Sequence, residues 1–195
     1  MPPAPSSMHL YRPGVLSALG SGMEVTVERL LDPAPSSLTL SDQWVAGRTL
    51  PLGQVTVPLR PFDAALPDEH RSRNNQLLWH AMAQVEPALS AACRCFGPDR
   101  IGVVLGTSTS GVDENLPAFR HIADGGQWQD IAFSQAHQLL CSPVDFIQAQ
   151  YGLSGIGYAI STACTSGARA LASAARLLKL GLCDAVLCGG VDSLS

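Results

Sequence analysis

The chain of 195 residues has 12 basic and 16 acidic side chains, a formal net charge of −4, and 46% hydrophobic residues. That hydrophobic share is enough to bury a core as one domain, or two at most, and argues against a disordered chain. With only 14% charged residues and no basic cluster, nucleic acid is a poor partner, which leaves a small molecule or another protein.

Six cysteines show neither the CxxC spacing of a metal site nor a disulfide framework, so a reducing compartment is expected. The opening residues lack the apolar stretch of a signal peptide, and no later run supplies about 18 apolar residues for a membrane span. A cytoplasmic location is the expectation.

In chain order, residues 9–20 predict a short strand and a glycine-punctuated turn, then a helix over Met23–Leu31 that Pro33 ends. Residues 32–69, rich in proline with short alternating runs, predict loop and edge strand. Leu78, Met82, Val85 and Leu89 recur at helical spacing, which predicts a second helix from about Arg73, kinked at Pro87.

The apolar run Ile101–Gly106 predicts a strand buried on both faces. The loop after it, residues 107–115, falls at the carboxyl end of that strand, where open α/β sheets take ligands. Ser142 and Pro143 predict a helix start, with Ser142 as cap, Asp145 in the first turn and Gly152 as the stop.

Further on, large residues (Ile156, Tyr158, Ile160) alternate with small ones (Gly157, Ala159, Ser161), giving a buried strand that another backbone can approach closely on one side. Residues 165–181 are apolar nearly all round except for Arg169, Ser173 and Arg176, which predicts a mostly buried helix closed by Gly181. Asp184–Ser193 predicts another buried strand. Strand, helix and strand form a βαβ unit in a layered α/β domain.

Cys164 lies in the turn between the first of those strands and the helix. At a helix N-terminus, unpaired amides and the positive end of the dipole favour a thiolate, a competent nucleophile toward a thioester. The same amides can stabilise the oxyanion of thioester attack, where one donor is typically worth about 3 to 4 kcal/mol. An isolated cysteine in such a turn reads better as a small buried hydrophobe, and that reading is applied to Cys93, Cys95, Cys141, Cys183 and Cys188. The nucleophile elbow of α/β-hydrolases is a poor fit, because Thr162 stands where its first glycine belongs.

The surrounding residues decide between the two readings of Cys164. The continuous run YGLSGIGYAISTACTSGARALASAARLLKLGLCDAVLCGGVDS, residues 151–193, resembles the active-site segment of β-ketoacyl-carrier-protein synthases of the type I/II group. VLSALGSGMEVTVERLL, residues 15–31, is similar to the family's opening segment, and IGVVLGTSTSG, residues 101–111, to the Gly/Ser-rich loop beside its acyl pocket. The wording STACTSG separates the chain from the coenzyme-A-using branch and from thiolases. Within the group it looks most like synthases of aryl-polyene pathways.

The resemblance implies a thiolase-like α/β fold with a mixed, mostly parallel sheet layered with helices, and places residues 1–195 as the N-terminal half. It implies that an acyl group passes from a carrier-protein phosphopantetheine arm to Cys164. Malonyl-carrier protein then loses carbon dioxide, and the carbanion attacks the acyl thioester to give a 3-oxoacyl product two carbons longer. Ser108, Thr109 and Thr162 match substrate-lining positions. Arg71 and Arg73 match the patch where the acidic carrier lands, or else are ordinary solvated charges. No bound cofactor and no metal are implied. The implied partners are the carrier protein and a second synthase-like subunit, the same chain or a different one, paired through the strand before the nucleophile.

Two departures from the family qualify this expectation. Tyr11-Arg12-Pro13-Gly14 stands where the first strand usually ends in Thr-Gly-x-Gly. Members of the family are roughly twice this length, and the two histidines that stabilise the malonyl carbanion come from the second half. His9, His70, His80, His121 and His137 match neither and read as surface or hydrogen-bonded structural residues. The expectation is therefore a fragment, or one chain whose complement is supplied elsewhere, with wide apolar surface exposed. The alternatives are a non-catalytic partner subunit of the chain-length-factor kind, against which the cysteine argues, and a carrier-binding or self-association module.

Overall fold

The computed structural model describes residues 7–33 and 37–194, so both ends of the expected 1–195 domain lie outside the described residues. Its centre is a three-stranded parallel sheet of β5 (Ile101–Gly106), β6 (Gly157–Ile160) and β7 (Ala185–Gly190), in the order β6-β5-β7. In register, Val103 lies opposite Gly157 and Leu187, and Gly106 opposite Ile160 and Gly190.

Only β5 is buried along its whole length. Strand geometry sends alternate side chains to opposite faces, and here each set meets a different layer. Ile101, Val103 and Leu105 pack into one core with Leu78, Trp79, Met82, Leu89, Val144, Phe146 and Ile147. Val104 faces the other way, into a smaller core with Ala170, Leu177 and Cys183.

The first layer is built from α2 (Arg73–Met82), α3 (Glu86–Phe96) and α6 (Ser142–Tyr151), and the second is α7 (Ser166–Lys179). The expected single helix from Arg73 is therefore two. Pro87 opens α3 at its first turn, where a missing N–H costs nothing, rather than kinking a continuous rod. The Ser72 side chain caps α2 by accepting from the Asn75 amide. At α6 the cap is Cys141 rather than Ser142; Ser142 is the first helical residue and is buried, and Gly152 closes the helix in the left-handed region as expected.

The N-terminal third forms β1 (Leu16–Ser17) with β2 (Gly20–Ser21), α1 (Met23–Leu31), and an antiparallel hairpin of β3 (Thr39–Val45) and β4 (Arg48–Leu52). The hairpin stands where loop and edge strand were expected, turning at Gly47 with φ 71°. Among the described residues these two hairpins pair only with themselves, and the three strands of the central sheet are all parallel. Between β5 and α6 lie α4 (Leu116–Ala123) and the four-residue α5 (Gln135–Gln138).

Three further expectations change. Strands β6 and β7 are half-buried edges rather than buried strands, because each has a neighbour on one side only. Helix α7 buries one stripe, Ser166, Ala170, Ala174 and Leu177, while Leu171 is 46% exposed. The small-residue side of β6 is met by a side chain rather than a backbone: a Cβ on Gly157 would lie 2.5 Å from Gln148 Oε1. Among the described residues, no helix is long and apolar enough to cross a membrane.

Candidate active site

Cys164 lies in the turn from β6 to α7 and is exposed. The helix begins at Ser166 with Thr165 as its cap, so the cysteine precedes the cap rather than entering the first turn. Side chains tie the turn together. The Thr162 amide donates to Ser166 Oγ at 2.9 Å, the Ser166 hydroxyl to the Ala163 carbonyl at 2.6 Å, and the Thr165 hydroxyl to the Thr162 carbonyl at 2.8 Å. Ala163 sits at φ 53°, a left-handed conformation that costs a non-glycine residue roughly 1 to 2 kcal/mol.

The amides of Thr165 and Ser166 bond back to Thr162 and Ala163. Among the described residues, those of Gly167 and Ala168 meet no acceptor, as expected of a helix's first turn.

Glycines bring this turn onto the sheet. A Cβ on Gly106, the last residue of β5, would lie 2.5 Å from the Ser166 carbonyl carbon, and one on Gly190 would lie 3.3 Å from Gly167 Cα. An approach as tight as that at Gly106 exists only where the strand residue carries no side chain, and at Gly190 both facing residues are glycines. The N-terminus of α7 therefore rests on the carboxyl ends of β5 and β7, beside the loop that follows β5. The Thr107 amide donates to the Ile160 carbonyl at 3.1 Å, and the Val191 amide to the Gly106 carbonyl at 2.9 Å, joining all three strand ends.

The other expected site residues divide between two places. Thr162 is exposed in the cysteine turn, its hydroxyl 2.9 Å from that of Thr165. Ser108 is exposed and Thr109 half-buried in the loop after β5. Both donate backbone amides to Asp192 Oδ1, at 2.6 and 3.1 Å. Sequence reasoning passed over Asp192; the signal was its position two residues beyond a strand end in Gly189-Gly190-Val191-Asp192.

Arg71 lies just ahead of α2 and Arg73 is its first residue. The Arg71 guanidinium donates to the Leu66, Asp63 and Ala64 carbonyls and pairs with Asp68, stapling its own loop. Arg73 is exposed, and its guanidinium makes one long contact, 3.4 Å, to the Val55 carbonyl.

Several of the remaining cysteines and histidines have structural surroundings, while His9 and His121 are exposed. Burial pushes the Cys183 and Cys188 thiols up, and burial with Asp145 does the same for Cys141. Cys95 departs from the buried-hydrophobe expectation and is exposed on α3. His80 Nδ1 accepts the Arg60 amide at 3.1 Å while Nε2 meets Ser21 Oγ at 3.0 Å, and His137 meets the Asp68 carbonyl at 3.1 Å. Among the described residues no cluster of His, Cys, Asp or Glu could hold a metal ion.

Comparison with known proteins places this arrangement. Residues 67–195 match the family model described as beta-ketoacyl synthase, N-terminal domain. The chain is 27% identical over 191 residues to 3-oxoacyl-[acyl-carrier-protein] synthase 2 of Rhizobium meliloti, covering 92% of this chain and 45% of that protein. It superposes with a TM-score of 0.82 and 34% identity on a ketosynthase (ApeO) solved in complex with its chain length factor (ApeC) from Xenorhabdus doucetiae, over 93% of this chain and 46% of that one. At 18% identity and a TM-score of 0.69, the ishigamide ketosynthase/chain length factor shares the fold, again over 93% and 46%. The chain thus spans about half the length of the relatives it matches. With the strand order, the cysteine turn and the family match in agreement, the chain belongs to the β-ketoacyl synthase family and has its thiolase-like fold.

Proposed function

We propose that this chain carries the acyl-accepting half of a β-ketoacyl-carrier-protein synthase, with Cys164 as the nucleophile. The observation that supports this best is an exposed thiol in a strained turn, placed by glycine contacts at the carboxyl ends of a parallel sheet. In the proposed reaction the Cys164 thiolate attacks the carbonyl of an acyl thioester and releases the carrier's phosphopantetheine thiol. Malonyl-carrier protein then loses carbon dioxide. Its carbanion attacks the acyl carbonyl, the sulfur of Cys164 leaves, and a 3-oxoacyl-carrier protein results. Decarboxylation supplies the carbanion without a strong base.

Ser108, Thr109 and Thr162 border the acyl group in this reading, and no bound cofactor is needed, since the phosphopantetheine arrives on the carrier. The exposed Arg73, with Arg71 beside it, is the proposed landing point for that acidic partner. A synthase-like subunit pairs along the outer edge of β6, which has no strand beyond it among the described residues. Solved relatives that are complexes of a ketosynthase with a chain length factor support a partner of this kind. The reaction is placed in the cytoplasm.

Incubation with acyl- and malonyl-carrier protein, read by intact mass, tests the proposal. The chain should gain one acyl group that Cys164→Ala abolishes. It should form no 3-oxoacyl product alone, because its five histidines lie outside the cysteine turn. Acylation that survives Cys164→Ala, or none in the parent chain, would overturn the assignment.

A further inference from the structure

The described chain holds two non-glycine residues with left-handed backbone, Ser110 at φ 51° and Ala163 at φ 53°. They occupy the two loops that leave the carboxyl ends of β5 and β6. Such conformations persist only where surrounding contacts over-determine them. For Ser110 those contacts form a chain. Its amide donates to Thr107 Oγ1 at 3.0 Å and its hydroxyl to the Leu139 carbonyl at 2.8 Å. The Thr107 hydroxyl in turn donates to Asp192 Oδ1 at 3.1 Å.

That one carboxylate oxygen also accepts the Ser108 amide at 2.6 Å, the Thr109 amide at 3.1 Å and the Thr109 hydroxyl at 3.2 Å. Four donors from three consecutive residues converge on it. Thr107 and Ser110 are both completely buried, so neither can turn to water if its partner is lost. Asp192 is itself fixed, because it stands two residues beyond the end of β7 and the intervening Val191 amide is bonded to Gly106. Gly106 is also the residue pressed against Ser166, two positions after Cys164.

We propose that Asp192 is a positioning residue: its carboxylate holds the Thr107–Ser110 loop in one strained shape beside Cys164, and so fixes where an acyl thioester can lie for attack. Carboxylate character matters, because an ionised oxygen can serve several donors at once with charge-assisted bonds. Loss of the carboxylate frees the Thr107 hydroxyl, which then ceases to hold the Ser110 amide, and the loop relaxes. This role rests on the acyl-transfer reading of Cys164.

The test compares the full chain with Asp192→Ala, Asp192→Asn and Thr107→Val through three measurements: amide hydrogen exchange, acylation of Cys164 by an acyl-phosphopantetheine thioester, and alkylation of Cys164 by iodoacetamide. Asp192→Asn retains an oxygen acceptor in the same place, and Thr107→Val removes one hydroxyl without changing shape. In Asp192→Ala, exchange at Ser108, Thr109 and Ser110 should quicken by roughly 10- to 100-fold, the factor a lost bond to a charged acceptor carries, while β5 amides are unchanged. Acylation should slow by roughly 10-fold or more, with alkylation within about 2-fold. Asp192→Asn should recover most of the acylation, and Thr107→Val should lose part of it.

Unchanged acylation in Asp192→Ala, or alkylation that falls in step with it, would overturn the positioning role. Unchanged exchange would show that the carboxylate does not hold the loop. A parent chain that is alkylated but never acylated would sink the thioester reading and the positioning role with it, an outcome distinct from both.

Discussion

Cys164 and Cys95 are exposed, and access separates them from the other four cysteines. Cys183 is 2% exposed, with its sulfur lying over Gly102, and burial raises its thiol and that of Cys188. Both are held toward the protonated form at neutral pH, Cys183 is also shielded, and the thiolate is the reactive form. Brief treatment with iodoacetamide followed by peptide mapping should therefore modify Cys164 and Cys95 first and leave Cys183 intact until the chain unfolds.

A second expectation concerns Glu86. Its carboxylate accepts from Arg60 at 2.5 Å and from the Tyr151 hydroxyl at 2.7 Å, and the Arg60 guanidinium also lies 3.5 Å above the Trp79 ring. The Arg60 hydrogen bond holds the Glu86 carboxyl below its ordinary value near 4.5, against the opposing effect of burial. The folded value lies below the unfolded one, so the stabilisation is complete above the unfolded value and is lost as pH falls through the folded one. Urea denaturation across pH 3 to 6 should show the parent losing stability on the acid side of about 4.5, and Glu86→Gln should flatten that loss.

Among the elements, the contact between α7 and the sheet is the one most sensitive to a single atom. Gly102 and Gly106 lie on the face of β5 turned toward α7, with only Val104 between them, and each admits a neighbour that a Cβ would displace. Gly106→Ala would place its methyl 2.5 Å from backbone that has no rotamer through which to escape. It should lower stability by roughly 1 to 3 kcal/mol, read as a denaturation midpoint, and slow Cys164 acylation through displacement of the turn. Arg100 secures the other end of α7: it pairs with Asp184 at 2.6 Å and donates to the Gly181 and Leu182 carbonyls at 2.8 and 3.2 Å. Helix start and stop signals marked the range of α1, and the unbroken apolar run marked β5 as buried on both faces, as the structure bears out. Helical spacing marked the region from Arg73. It could not separate α2 from α3, because Leu78, Met82, Val85 and Leu89 keep one helical phase across the break.

For the molecule as a whole, the sheet is covered unevenly. Among the described residues, one face lies under α2, α3 and α6 and the other under α7, whose outer side is open. Leu171, Leu180 and Leu182 on and after α7 are 46%, 63% and 47% exposed. Apolar surface of this kind binds partners or itself. The chain should bind an apolar dye such as ANS, and Leu171→Gln combined with Leu182→Gln should reduce the binding while lowering stability by less than about 0.5 kcal/mol per site, since neither side chain belongs to a core cluster.

The sequence by itself determined the local features: the cysteine turn between a strand and a helix, the buried run Ile101–Gly106, the helix over Met23–Leu31, and the likeness of residues 151–193 to one family. These depend on neighbours in the chain and on side-chain period, which a linear reading contains. Tertiary structure decided what depends on partners distant in sequence. It reduced β6 and β7 to half-exposed edges, tied Arg71 to its own loop, and brought Asp192 against Thr107, Ser108 and Thr109 across more than 80 residues. Burial and convergence of this kind arise when strands pair side by side, and no spacing along the chain encodes which carboxylate will then meet which loop.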